Sequence, residues 1–293
     1  MHGSLAYSEG VLWVGRHART AHVAAYDLDG HALGPRFSFR GADGARASIG
    51  GLCVDSDRTL WIADTAAARV RSFSVFGVEG VSLGNGETDG RPDRRDLAAH
   101  VGEVVSVAAS GEDDERRVWV ASRGRRRHAV QSFTPDGRYQ SDLRPQGDPN
   151  GVFEDVRDIA RLDRFTYVCE GRGGRVQVFR DDEFHFAFGR DVPGLIPSAV
   201  EPLEDGRVLV AGAGDRSGLY LFDEGGRILS ELATHGEEGG RVFEPDSVRA
   251  ELYVEDARRR VCVMDSDGDR VQVFTLEGQC YGSFSDLPRS DVT

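Results

Sequence analysis

The chain is poor in sulfur and nearly devoid of helical periodicity. Its 293 residues contain four cysteines and two methionines. Cys53, Cys169, Cys262 and Cys280 form no CxxC pair, which excludes a zinc knuckle. Three of them sit in apolar, strand-like runs, where a thiol packs as a small hydrophobe, so a secreted disulfide framework is not expected. No run approaches the roughly 18 apolar residues of a membrane span. Met1 to Gly10 has no basic segment followed by an apolar one, so no signal peptide is expected. These absences point to a reducing compartment, the cytoplasm, with no membrane attachment. No Gly-x-Ser-x-Gly elbow occurs. Gly84, Gly86 and Gly90 lie in SLGNGETDGRPD without the GK[ST] that a phosphate loop requires.

What is present is charge and short apolar strands. Apolar residues make up 39% of the chain, enough for a core, and charged residues 29%, so the surface is heavily ionised. Against 36 basic side chains stand 49 acidic ones, a formal net charge of −13. Such a balance repels phosphate backbones and anionic lipid, and disfavours nucleic acid as a partner.

One motif recurs six times. An apolar strand reads VLWVG at Val11, LWIAD at Leu60, VWVAS at Val118, TYVCE at Thr166, VLVAG at Val208 and VCVMD at Val261. A polar turn and a second strand follow, ending at Tyr26, Phe73, Phe133, Phe179, Phe222 and Phe274. Shorter apolar runs flank each pair, giving four strands per repeat at the spacing of propeller blades. Turns DLDG at Asp27, TPDG at Thr134, DEGG at Asp223 and TLEG at Thr275 fall between third and fourth strands, where a positive φ is needed. The expectation is an all-β, six-bladed propeller of four-stranded antiparallel blades around a central channel. It forms one domain over residues 1–293, with blades at about 4–41, 48–84, 103–144, 156–190, 197–235 and 246–285. Each blade reads as contiguous, so the ring would close by packing of the last blade on the first. The one helical candidate, Asp93 to His100, spans a turn or two.

Three repeats, ADTAAARVRSF, CEGRGGRVQVF and MDSDGDRVQVF, resemble NHL repeats in architecture. Each ends its second strand in an acid and opens its third with an arginine five residues on: Asp64 with Arg69, Glu170 with Arg175, and Asp265 with Arg270. The resemblance implies that these pairs brace the blade. It also implies a protein- or RNA-binding domain, with six-bladed lactonases, amidating lyases and streptogramin lyases as neighbours. The lactonases hold a channel metal through a Glu on the first inner strand, which SLAYS lacks; the amidating lyases need several channel histidines, and the eight here are scattered.

In such a propeller, ligand groups come from the innermost strands and the loops leading into them. Those segments offer Ser48, His100, Glu103, Asn150, Glu154, Asp155, Asp158, Ser198, Asp246, Ser247 and Arg249. The densest is NGVFEDVRD. Carboxylates converging on the axis, Glu154, Asp158 and Asp246 first, can hold Ca²⁺ or Mg²⁺ through oxygen; His100 would admit Zn²⁺. The plainer reading is a hydrated acidic mouth with no specific ligand. The turn between strands two and three of the third blade carries Arg123, Arg125, Arg126, Arg127 and His128, a basic patch for an acidic partner, or else a solvated loop. No aromatics interleave with these arginines, which weighs against RNA. The sequence therefore points first to a non-catalytic scaffold that binds a protein or peptide through one looped face. The alternative is a metal-assisted hydrolase or lyase acting on a small molecule in the channel.

Overall fold

The structure, a computed structural model, describes residues 3–16, 20–41, 44–84, 103–111, 115–123, 128–145, 153–243, 245, 247–250, 260–265 and 270–285. Six four-stranded antiparallel sheets form the blades. Blade one holds β1 (Gly3–Ser8), β2 (Val11–Arg16), β3 (Ala21–Tyr26) and β4 (Ala32–Phe39). Blade two holds β5 (Ile49–Val54), β6 (Leu60–Asp64), β7 (Arg69–Phe73) and β8 (Glu79–Leu83). Blade three holds β9 (Glu103–Ser110), β10 (Arg117–Arg123), β11 (His128–Phe133) and β12 (Tyr139–Asp142). Blade four holds β13 (Val156–Leu162), β14 (Phe165–Glu170), β15 (Arg175–Arg180) and β16 (Glu183–Phe188). Blade five holds β17 (Ile196–Pro202), β18 (Val208–Ala213), β19 (Gly218–Phe222) and β20 (Ile228–Ala233). Blade six holds β21 (Ser247–Ala250), β22 (Arg260–Asp265), β23 (Arg270–Thr275) and β24 (Cys280–Phe284). The helical candidate Asp93 to His100 lies outside the described residues.

The first strand of every sheet packs on the first strands of both neighbours, so β1, β5, β9, β13, β17 and β21 ring the axis. Second and third strands are buried on both faces, and fourth strands are largely exposed. This is why the second and third strands read as continuous apolar runs while the fourth are mixed. Each apolar cluster joins two neighbouring blades. Leu5, Leu12 and Val14 of blade one pack with Cys262, Met264 and Val273 of blade six, closing the ring without strand exchange. Tyr26 meets Phe284 at 5.4 Å between ring centroids, and Arg260 donates to Asp29 at 2.9 Å. None of the four cysteines is in a disulfide.

Five of the turns between third and fourth strands share one hydrogen-bonding scheme. The fourth residue's N–H donates to the first residue's carbonyl in Asp27–Gly30, Ser74–Gly77, Thr134–Gly137, Asp223–Gly226 and Thr275–Gly278. The first residue's side-chain oxygen accepts the N–H four residues on. The glycine carries φ from +79° at Gly226 to +95° at Gly137 in these turns, which favours the residue without a Cβ. A second glycine requirement is a close approach. A Cβ on Gly51 would lie 2.6 Å from Ser106 Cα, so β5 and β9 touch only because no side chain stands there.

Candidate functional site

The mouth of the axial channel is shaped by the acids that end the second strands. Glu170 is fully buried. It accepts from Arg175 Nε, from Gln177 Nε2 at 2.6 Å, and from the backbone N–H of Glu154 at 2.6 Å. Asp265 accepts from Arg270 Nε at 2.8 Å, Gln272 Nε2 at 2.8 Å and the Phe243 N–H at 3.4 Å. Asp64 accepts the Ser48 N–H at 3.2 Å. Each acid therefore ties its own hairpin to the segment leading into its own inner strand, which is the segment that reaches the mouth. The pairs Glu170–Arg175 and Asp265–Arg270 are as the sequence implies. The Asp64–Arg69 pair is not formed. Arg71 Nη1 takes Asp64 instead, at 3.3 Å, and Arg69 Nε has no hydrogen-bond partner. Arg71 stands where blades four and six carry Gln177 and Gln272. It is held between the Phe39 and Phe73 rings, by the Arg40 carbonyl at 2.8 Å, and by both Glu79 oxygens at 2.8 and 2.6 Å. A cation so anchored reaches the buried carboxylate first.

Inner strands have one open edge facing the channel, and their backbone groups need partners. Side chains of the neighbouring blade supply them. Thr65 donates to the Val104 carbonyl at 2.6 Å. Ser106 donates to Asp158 Oδ1 at 2.6 Å and accepts the Ile159 N–H at 3.3 Å. Asp158 Oδ2 accepts the Val200 N–H at 3.1 Å. These stitches link blades two to five in order.

This placement changes the reading of the acidic mouth. Asp158, 7% exposed, has both oxygens engaged in the channel wall. Glu154 is half-buried and contributes its backbone N–H to Glu170; it does not line the cavity. Asp155 sits at φ +58° and folds back onto Arg157 at 2.8 Å and Arg123 at 3.4 Å. Burial alone would raise its pKa. The hydrogen bond and charge of Arg157, then the charge of Arg123, outweigh that and hold it below its ordinary 3.8. Glu154 and Asp158 therefore do not converge as metal ligands, and among the described residues no three His, Cys, Asp or Glu side chains gather to hold an ion. His100, Asn150 and Asp246, and the run Arg125, Arg126, Arg127, lie outside the described residues. Of Arg249 and His128 the backbone is placed: Arg249 in β21 and His128 opposite Arg123.

What does converge is cationic. A cavity of about 680 Å³ opens at the mouth, lined by Ser48, Glu103 and Ser198, which the sequence had placed there, and by Arg46, Arg123 and Arg157. Arg46 is exposed and has no ion pair among the described residues. Arg123 is loosely shared between Glu103 at 3.6 Å and Asp155 at 3.4 Å, and its Nε lacks an acceptor. Arg46 and Arg157 escaped the sequence reading because isolated arginines are everywhere in this chain, which has no lysine. Because Asp155 is held ionised by these cations, its contribution to stability is complete above 3.8 and lost as pH falls through its lowered pKa. NMR titration is expected to place its midpoint below 3.8, and Arg157→Ala to move it upward.

No family model matches the chain, and no curated protein matches it. Among solved structures, a streptogramin B lyase superposes with a TM-score of 0.62 at 13% identity, over 98% of this chain and 83% of that one. Virginiamycin B lyase from Staphylococcus aureus gives 0.60 at 12%, over 98% and 84%. A chain of a nidogen/laminin complex gives 0.65 at 13%, over 94% and 92%. Likeness at these identities is likeness of fold, and with the six closed sheets it makes this chain a six-bladed β-propeller.

Proposed function

We propose that this propeller is a non-catalytic, NHL-like recognition scaffold whose channel mouth receives an acidic segment of a protein or peptide partner. The carrying observation is the convergence of Arg46, Arg123 and Arg157 on one cavity in a chain of net charge −13. A locally positive cavity on an acidic molecule draws carboxylates inward while the rest of the surface repels them, which gives selectivity as well as attraction. Guanidinium groups match carboxylate geometry in two-pronged hydrogen bonds. Use of a similar propeller in the nidogen/laminin complex is consistent with a protein partner, and the acid–arginine clamps of blades four and six support the NHL likeness.

Fluorescence anisotropy with a labelled oligo-glutamate peptide tests this. The expected result is saturable binding that weakens with salt, and a loss of about tenfold or more in Arg46→Glu and in Arg157→Glu. Equal binding by these variants, or by an oligo-lysine peptide, would falsify the reading. The metal-assisted hydrolase or lyase has less support: it draws on the lyase fold-likeness, where a histidine-to-alanine variant of virginiamycin B lyase is inactive, but Asp158 is already engaged in the wall.

A further inference from the structure

Four inner strands carry a one-residue bulge at the same place in their register. The skipped residues are Gly50 of β5, Val105 of β9, Arg157 of β13 and Ser198 of β17. All four line the mouth cavity, because a bulge turns its extra residue away from the ladder. Arg157 alone among them is charged. Two positions earlier stand Ser48, Glu103 and Asp155 in blades two, three and four. The last two are acids, and each meets an arginine of the mouth.

The two acids are held differently. Asp155 has a φ of +58° and turns back, so that its Oδ2 accepts from Arg157 Nε at 2.8 Å. The turn at Gly171 covers this bond. A Cβ there would lie 2.8 Å from Arg157 Nε and 2.9 Å from Asp155 Oδ2. The Asp155 side chain is only 14% exposed and does not line the cavity. It takes the Nε edge of Arg157, and Nη1 and Nη2 have no hydrogen-bond partner among the described residues. Glu103 instead stays in its strand, directly opposite Arg123, lines the cavity and is 53% exposed. Its carboxylate stands 3.6 Å from Arg123 Nη2, beyond hydrogen-bond length. Among the described residues the one hydrogen bond of the Arg123 guanidinium is the 3.4 Å contact to Asp155, and its Nε is buried without an acceptor. A guanidinium has five N–H donors, so most of this one's are unanswered.

We propose that Glu103 is a resident counter-ion that an acidic side chain of the partner displaces from Arg123, and that Asp155 is a positioning residue that fixes Arg157 for the same partner. This rests on the reading of the mouth as the receptor of an acidic segment. A loose, exposed ion pair contributes little and is exchanged at little cost. While in place, Glu103 turns away anions that bind Arg123 no better than it does, which makes it a determinant of specificity. A carboxylate that meets the guanidinium in two-pronged geometry does bind better. Asp155 is bonded and covered, so it is not exchanged. It restricts the rotamers of Arg157 before the partner arrives, which lowers the entropy lost on binding.

Anisotropy titrations of the full chain with labelled oligo-glutamate test this, because three variants that each remove one negative charge are expected to differ. Glu103→Gln should bind about threefold tighter, the scale of one exposed ion pair. Asp155→Gly tolerates the positive φ but loses the anchor, and should bind about fivefold more weakly. Asp155→Asn also tolerates that φ and keeps an oxygen for Arg157 Nε, so it should recover wild-type affinity or better. Tightening by Asp155→Gly equal to that of Glu103→Gln would show that only the charge count matters, and overturns the proposal. A wild type that binds through Arg46 and Arg157, with Glu103→Gln binding no tighter, overturns the counter-ion and leaves the acidic-partner reading standing. Absence of binding in the wild type and in every variant overturns both.

Discussion

Replacement of Glu170 by alanine is expected to destabilise the protein by about 3–5 kcal/mol, because it leaves the Arg175 guanidinium buried without its carboxylate. Arg175 is fixed in blade four, with its side chain 4% exposed. The same change removes the acceptor of the Gln177 amide and of the Glu154 N–H. Since a folded domain is stable by only about 5–15 kcal/mol, chemical denaturation should show a clear fall in midpoint. Two comparisons separate this cause from simple loss of volume. Glu170→Leu combined with Arg175→Met is expected to recover part of the loss, because the attraction within a buried pair is largely offset by the desolvation of both charges. Asp64→Ala is expected to cost less, since Arg71 keeps the two-pronged partner Glu79. Equal losses at Glu170 and Asp64 would show that the surviving partner does not matter.

Removal of the Asp158 side chain is the second large effect. Asp158→Ala is expected to lower stability by about 2–5 kcal/mol, because the Val200 N–H and the Ser106 hydroxyl each lose a buried acceptor. Asp158→Asn keeps an oxygen for Val200 and an amide that can donate to the serine, so about 1 kcal/mol is expected. This pair of variants separates wall from ligand. Were Asp158 a metal ligand, the asparagine variant would lose bound metal while keeping its stability, and elemental analysis by mass spectrometry would see it.

The blades were legible because their signal is local. Alternation, apolar second and third strands, and a Gly at the fourth turn position each act within a few residues, and six repetitions reinforce one another. The clamps were half legible. Spacing of five across a hairpin sets Glu170 opposite Arg175 and Asp265 opposite Arg270. It sets Asp64 opposite Arg69 just as well. That pair fails because Arg40 and Phe39 of the preceding blade help hold Arg71, a contact no local spacing reports. The mouth misread in the same way. Asp158 lies on the inner strand β13 and Asp155 just before it. Whether a carboxylate there faces the cavity or turns into the wall depends on Arg157, Ser106 and Val200, two of them on other blades.

By itself the sequence determined the architecture of this protein: six blades, their order, their turns and the buried acids that brace them. Strand period, turn chemistry and the need to bury two-sided sheets leave few other solutions. Only the tertiary structure decided which of the described side chains share the mouth, and which share the cavity between blades one and two. Closing the ring brings Arg46, Arg123 and Arg157, 111 positions apart from first to last, onto one cavity, and sets Glu9 beside Arg58 at the rim of another. Electrostatic and apolar sites are made by distance in space, and in a propeller the residues that share a face come from every turn of the chain.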